Sequence, residues 1–165
     1  MSAKRTKFGP GDVFEVDLGD GFRSYGIVAA GNDHAFFDLR SRQAPPLEEI
    51  LSKRVIFRVP VSREPFASGK WRRLGNVPLP PELREPAVYR NQPVGSNQVF
   101  RYKSGELTPS SVEDVKDLEL LAVWLEQHIV DRLNDHFAGR RNRWVEFFRT
   151  IRRYDPKTGQ EIKPS

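Results

Sequence analysis

The chain has 165 residues, of which 38% are hydrophobic, and this is enough for one domain with a buried core. Its net charge is +5, and it has no cysteine, which excludes disulfides, thiolate zinc sites and a cysteine nucleophile. No apolar run approaches the roughly 18 residues of a membrane span, and no hydrophobic segment follows the basic N-terminus to make a signal peptide. We therefore predict a cytoplasmic protein that contacts no membrane.

The charge is distributed unevenly along the chain. Residues 1–105 carry 17 basic and 11 acidic side chains, residues 106–137 carry 2 and 8, and residues 138–165 carry 8 and 3. A basic balance indicates attraction to acidic partners, which are either nucleic acids or acidic protein surfaces.

The first predicted elements form a β-hairpin. Apolar and acidic residues alternate in "DVFEVDL" (residues 12–18), which predicts a half-buried strand. The sequence "GDG" at 19–21 predicts a tight turn. The return strand is "FRSYGIVAAG" (residues 22–31), where Gly26 marks a bulge or a close backbone approach.

The rest of the first half predicts more short strands and a surface segment. A short helix is expected at 45–53, where prolines precede acidic residues. Residues 78–97 are rich in Pro, Asn and Gly and are expected to run over the surface. The further strands are predicted at 35–39, 54–61, 73–77 and 98–103.

The hydrophobic period changes at Ser111. Apolar residues at helical spacing continue to Leu133 and predict one long amphipathic helix. The sequence "SVED" (residues 111–114) resembles a capping box, and Gly139 suits a left-handed stop. Residues 143–151 fit either a second short helix or a last strand.

These elements predict an α+β fold with an N-terminal antiparallel β-meander or small SH3-like barrel and one long C-terminal amphipathic helix. We expect a single domain over 1–165. Its parts are a β-rich region at 8–105, a helical region at 109–153 and a loose tail at 154–165.

No motif indicates catalysis, a metal or a cofactor. Acidic residues cluster early in the chain, but no base or nucleophile accompanies them, so we predict no enzymatic activity. The stretch "ASGKW" lacks the upstream glycine of a phosphate loop. The histidines are too scattered for a metal site and are expected at the surface or at caps; they are His34, His128 and His136.

Basic and aromatic residues interleave at 70–73, 100–103 and 140–154. A sheet face that carries both can hold a single-stranded nucleic acid, because arginine neutralises phosphates while aromatic rings stack on bases. Alternating strands also place aromatic residues in a core without any ligand, so both interpretations remain open. Trp124, on the wide apolar stripe of the predicted helix, is the aromatic residue most suited to a protein partner.

Several segments resemble the bacterial immunity protein 26 family. The resemblance covers residues 9–82, and it implies a non-enzymatic protein that protects a bacterium by binding a polymorphic toxin used in competition. The segments that carry it are "GDVFEVDLGDG" (residues 11–21), "YGIV" (25–28), "FFDL" (36–39), "VIFRVPV" (55–61) and "SGKWRRLGNVPLPPE" (68–82).

The resemblance implies that Trp71 anchors a strand, while Arg72 and Arg73 are rim charges that the fold does not require. It also implies structural positions at turns and strand ends, which are Gly11, Asp12, Gly21, Gly26, Asp38 and Gly75. The implied mechanism is occlusion of a toxin that has an acidic surface. From residue type we predict that the contacts are made by Tyr25, Arg40, Arg42, Trp71, Arg72, Arg73, Tyr102 and Trp124.

Two rival functions remain. The opening "GDVFEVDL" followed by "GIV" is also similar to the start of MazF-type endoribonucleases, but "RSYGIVAA" replaces their arginine–proline–alanine segment. A nucleic-acid-binding module without chemistry is the other alternative. Strong salt dependence of binding would distinguish such a module from a protein inhibitor.

Overall fold

A computed structural model describes residues 7–163. Within them the chain forms eight strands in two antiparallel sheets and five α-helices, which confirms the mixed α and β composition. No helix in this range is both long and apolar enough to cross a membrane. The first six residues of the N-terminus, for which no signal peptide was predicted, lie outside the described range.

The chain packs into two compact units, each made of two chain segments. The first unit contains the described residues up to Pro86 together with Ala122–Asn142, and the second contains Ala87–Leu121 together with the residues from Arg143 onward. This division differs from the predicted split into a β-rich and a helical region. The single domain over 1–165 stays a prediction.

The first unit is built on an open five-stranded sheet. Because the two edge strands of this sheet do not pair with each other, no closed barrel is found among the described residues. The strands predicted at 12–18, 35–39, 54–61 and 73–77 are confirmed. The strands are β1 (Asp12–Asp17), β2 (Arg23–Val28), β3 (His34–Phe37), β4 (Val55–Val59) and β5 (Arg72–Asn76), in the order β4-β3-β2-β1-β5.

Strand β1 is an interior strand of the sheet, between β2 and the edge strand β5, and both of its faces are covered. Val13 faces a core formed with Tyr25 and Ile27, which Ile50 of α1 (Leu47–Leu51) closes. Phe14 faces the opposite side, where the other aromatic residues collect. The prediction of a half-buried strand is therefore wrong, because side chains pack against both faces of β1 and five of its six residues are buried.

Gly26 of β2 makes room for the Phe14 ring. Gly26 lies directly opposite Phe14 in an unshifted register, so the sequence signal reflects a close approach and not a bulge. A Cβ atom on Gly26 would lie 2.5 Å from Cζ of Phe14. The side chain that approaches is an aromatic ring held on several sides, so it cannot easily move away.

The predicted long helix is wrong: it is divided into α3 (Val112–Val115) and α4 (Glu126–Phe137). The residues between them run without a helix because their backbone groups bond elsewhere. In the first unit, Trp124 donates to the carbonyl of Pro60 at 2.9 Å and accepts from Ser62 at 2.9 Å. Helical spacing misled here because the run "LELLAVWL" is almost continuously apolar and fits either period.

The predicted ends of the helical region are partly confirmed. The Ser111 side chain accepts a hydrogen bond from the Asp114 amide at 3.2 Å, as a cap does. Gly139 follows α4 with a φ of 69°. Neither α2 (Glu64–Ala67) nor the 3₁₀ turn at Pro81–Leu83 was predicted.

The second unit contains a three-stranded sheet together with α3 and α5 (Arg143–Arg149). Residues 143–151 are thus helical in their first part. The strand predicted at 98–103 is confirmed, and the other two strands were not expected. The strands are β6 (Tyr89–Asn91), β7 (Val99–Lys103) and β8 (Glu106–Ser110), in that order across the sheet.

Arg90 of β6 is almost fully buried and binds the end of α5. Its Nη1 donates to the Arg149 carbonyl at 2.9 Å, and its Nη2 donates to the Phe148 carbonyl. A guanidinium satisfies orphan carbonyls at a helix C-terminus and opposes the helix dipole. Burial lowers the pKa of Arg90.

The predicted loose tail at 154–165 is wrong at its start. Tyr154 is buried, and its backbone amide and carbonyl both bond the Asn97 side chain, at 2.7 and 2.8 Å. A turn then returns the chain to a bridge between Tyr154 and Glu161. Residues 164 and 165 lie outside the described range.

Replacing Gly26 with alanine should lower the free energy of unfolding by about 1–3 kcal/mol, because the new methyl group overpacks Phe14. Urea denaturation followed by circular dichroism would measure the change. Gly9→Ala is the matched control, since a Cβ atom there meets nothing within 4 Å. Equal stability of the two variants would contradict the close approach.

Replacing Arg90 with methionine should cost about 2 kcal/mol or more, because two charge-assisted hydrogen bonds to α5 are lost. Arg101→Met is the control, since Arg101 lies directly opposite Arg90 on β7 and is exposed. Thermal unfolding would compare the two. If Arg101→Met were as destabilising as Arg90→Met, the helix-end role would be wrong.

Candidate protein-binding site

Three of the predicted contact residues are core residues. Tyr25, Trp71 and Trp124 have no exposed surface. Their assignment as partner contacts is wrong, because their side chains fill the interior of the first unit. Tyr102 is half-buried on β7 of the second unit.

Trp71 precedes β5 and joins it to β1 through ring contacts. Its ring stacks on Phe14 with centroids 5.6 Å apart and an interplanar angle of 3°. Phe66 of α2 meets it edge-on at 5.2 Å, and the Trp71 amide donates to the Pro65 carbonyl at 2.9 Å. These contacts agree with the anchoring role that the family resemblance implies.

A concave pocket of about 830 Å³ lies beside this aromatic cluster. Phe8 and Phe66 contribute apolar surface to its wall. Of the residues that the structure describes, none with a carboxylate lines it, whereas four cationic side chains do; these are Lys7, Arg63, Arg72 and Arg73.

Arg72 and Arg73 neutralise carboxylates of β1 that are more than nine-tenths buried. Arg72 Nε lies 3.3 Å from Glu15 Oε1, in a register that places the two residues opposite each other. Arg73 Nη2 lies 3.2 Å from Asp12 Oδ2 and donates to the Lys7 carbonyl at 2.9 Å. Both arginines therefore pair with buried carboxylates, whose charge is costly without a partner. Arg23 Nε also lies 3.5 Å from Glu15 Oε1, and that the fold does not require Arg72 and Arg73 stays a prediction.

His34 begins β3 and is buried, which corrects its predicted surface position. Its ring stacks on Phe66 at 4.8 Å, and its Nδ1 has no hydrogen-bond partner. Burial lowers the pKa of His34 to about 4, because an imidazolium loses its hydration there. His34 is therefore neutral at pH 7.

A second cluster forms around Phe22, in the turn between β1 and β2. The Arg40 guanidinium lies 3.4 Å and that of Arg42 4.9 Å from the centroid of its ring. Arg40 Nη2 also donates to Asp20 Oδ2 at 2.9 Å, and this hydrogen bond lowers the pKa of Asp20. The predicted contacts Arg40 and Arg42 thus meet on a ring that the sequence did not single out. We call this group the Phe22 cluster.

The buried Tyr25 helps to hold the backbone of the Phe22 cluster in place. Its hydroxyl hydrogen-bonds Ser41 Oγ at 2.7 Å, between the two arginines in sequence. Arg23 Nη1 donates to the Arg42 carbonyl at 2.8 Å. A tyrosine that was predicted to touch a partner therefore positions the arginines instead.

Asp38 holds the end of β3 by two charged hydrogen bonds. His136 Nε2 of α4 lies 2.9 Å from its Oδ1, and Arg54 Nε donates to its Oδ2 at 3.0 Å. The His136 bond is the larger cause of the lowered pKa of Asp38. Asp38 therefore fixes the chain two residues before Arg40.

The other residues that the resemblance implied as structural lie at turns and close contacts. Gly11 has a φ of 92°, and a Cβ atom there would collide with the Val77 carbonyl. Asp12 accepts from the Gly9 amide at 2.8 Å. Gly21 lies in the turn after β1, and Gly75 packs against Leu47 of α1.

The sequence did not predict two features of the site, which are the contacts of Phe22 and the aromatic wall of the pocket. Phe22 stands at the start of the predicted return strand, a position that indicated nothing about two arginines 18 and 20 residues away. Phe66 follows Pro65 in a segment with no predicted helix. Contacts across such sequence separations leave no local periodic signal.

A comparison of the sequence with protein families matches the region that contains β1 to β5. The sequence profile of Immunity protein 26 matches residues 9–100, from the loop before β1 into β7. The family's name implies an immunity protein of a toxin system, and since the match covers more than half of the chain, the chain belongs to this family. Comparisons with curated proteins and with solved structures gave no significant match.

The buried His34 predicts a stability change with pH. Unfolded His34 titrates near 6.5 and folded His34 near 4, so the unfolded chain binds the additional proton between these values. The free energy of unfolding should therefore fall by about 3 kcal/mol as the pH is lowered from 6.5 to 4. Urea midpoints across this range would measure it.

His34→Phe separates this effect from carboxylate titration, because phenylalanine keeps a ring against Phe66 but binds no proton. The stability difference between the wild type and the variant should change with pH between 4 and 6.5 and be constant above 7. Parallel curves over the whole range would refute a His34 contribution.

Proposed function

We propose that this protein binds and occludes a cognate toxin of a bacterial competition system, in the cytoplasm of the producing cell and without catalysis of its own. The observation that carries the proposal is the family match over residues 9–100. The matched region includes the whole five-stranded sheet, the Phe22 cluster and the pocket lining apart from Lys7 and Phe8.

The Phe22 cluster supports binding by its rigidity. Arg40 is held by a ring below it and a carboxylate beside it, and Tyr25 fixes the backbone through Ser41. Arginines held in place lose little side-chain entropy when a partner binds. Arginine is also among the residues that dominate interface energies.

The net charge of +5 favours an acidic surface on the toxin. Complementary charge speeds encounter more than it tightens the final complex. The affinity of the complex should therefore survive moderate salt, whereas its association rate should fall.

The arrangement of side chains on β7 weakens one argument for the nucleic-acid alternative, the interleaving of basic and aromatic residues at 100–103. Successive residues of a strand point to opposite faces, so Arg101 and Lys103 lie on the face opposite Phe100 and Tyr102. No face of β7 combines the phosphate contacts and stacking rings on which that alternative rested.

The first experiment is capture of a partner from the native host at about 0.3 M salt, which screens surface charge. A single protein retained at near-equal amounts should be toxic when expressed alone and harmless when co-expressed with this chain. Nucleic acid that is retained without a protein and released as salt rises would contradict the proposal.

The double substitution Arg40→Ala/Arg42→Ala should weaken toxin binding at least tenfold and reduce protection of growing cells. Its effect on stability should be small, because exposed ion pairs contribute about 0–1 kcal/mol. Titration calorimetry with the captured toxin gives the affinity. Arg84→Ala/Arg153→Ala removes the same charge from two other exposed arginines and should bind normally; equal affinity of both double variants would exclude the Phe22 cluster from the interface.

A further inference from the structure

The pocket beside Trp71 has the charge pattern of a site for an anionic group. Among residues 7–163, four cationic side chains and no carboxylate line it. Arg72 and Arg73 are already paired with Glu15 and Asp12. Among the described residues, no carboxylate pairs with the other two cations, Lys7 and Arg63.

The volume and walls of the pocket suit side chains of a protein. A volume of about 830 Å³ lies within the range of sites that enclose a ligand group. Phe8, Phe66 and Val61 supply apolar surface, while Asn32 and Ser68 supply polar groups. An acidic side chain with its aliphatic stem matches both kinds of surface.

Two rings of the pocket wall, Trp71 and His34, are buried and offer no open face to a nucleobase. Trp71 is stacked on Phe14 and has no exposed surface, and His34 is stacked on Phe66. Stacking on a single-stranded nucleic acid needs open ring faces. The pocket chemistry therefore favours a protein carboxylate over a nucleotide.

We infer that this pocket receives an aspartate- or glutamate-bearing loop of the partner protein, and that Arg63 binds its carboxylate at the rim. The inference rests on the proposed function, since the loop belongs to the toxin. It adds a second contact region to the Phe22 cluster and assigns the chemistry that occupies it.

A peptide probe tests the pocket without the toxin. The probe is a ten-residue peptide of alternating glutamate and glycine, and its glutamine counterpart is the uncharged control. In ¹H–¹⁵N spectra of the full chain, the glutamate peptide should shift the amides of Arg63, Phe66 and Gly69, and the glutamine peptide should leave them unchanged. Shifts confined to other parts of the chain would overturn the inference.

Two charge-reversal variants localise the contact. Arg63→Glu should weaken binding of the glutamate peptide and of the captured toxin at least tenfold. The fold should persist, because a glutamate at the start of α2 suits the helix dipole. Lys53→Glu makes the same charge change at an exposed position after α1, and it should weaken binding no more than twofold.

The outcomes separate the inference from the proposed function. If the wild type and Arg63→Glu protect toxin-expressing cells equally, the pocket inference fails and the proposed function stands. If the wild type does not protect, yet the glutamate peptide binds in an Arg63-dependent manner, the proposed function fails and the carboxylate chemistry of the pocket stands. Tighter binding of a ten-nucleotide oligothymidine than of the peptide, at the same amides, would overturn the assignment to a protein loop.

Discussion

The first unit depends on the contact between the Phe14 ring and the backbone of Gly26. Because Gly26 has no side chain, the Phe14 ring can approach the backbone of the neighbouring strand while it stacks on Trp71. Trp71 then fixes the start of β5, from which Arg72 and Arg73 reach the carboxylates of β1. The absence of a side chain at Gly26 thus helps to determine where Arg72 and Arg73 lie at the pocket.

The fold was predictable where a local pattern was sufficient and was missed where the partner of a backbone group is distant in sequence. The hairpin of β1 and β2 followed from alternation and from its glycine-rich turn. The segment around Trp124 could not be predicted, since its apolar run fits a helix and a strand equally well. Its backbone bonds to Pro60 and Ser62 decided the outcome.

The candidate site shows a similar limit. Residue type selected Arg40 and Arg42 as partner contacts, which stays a prediction and which their exposed positions allow. The same reasoning also selected Tyr25, which is buried and bonds Ser41 beside these arginines. Aromatic residues in strands carry no sequence mark that distinguishes a core position from a contact position. That distinction depends on how many layers cover the sheet, which emerges only from the tertiary structure.

The division of each unit between two distant chain segments has a consequence for synthesis. When the ribosome has made the first 86 residues, the residues of all five strands have been synthesised. Trp124 and α4, which complete the first unit, have not. The second unit likewise cannot be complete before α5 has been synthesised, because Arg90 binds the end of this helix. Neither unit can therefore complete its packing until residues beyond Leu121 have been synthesised.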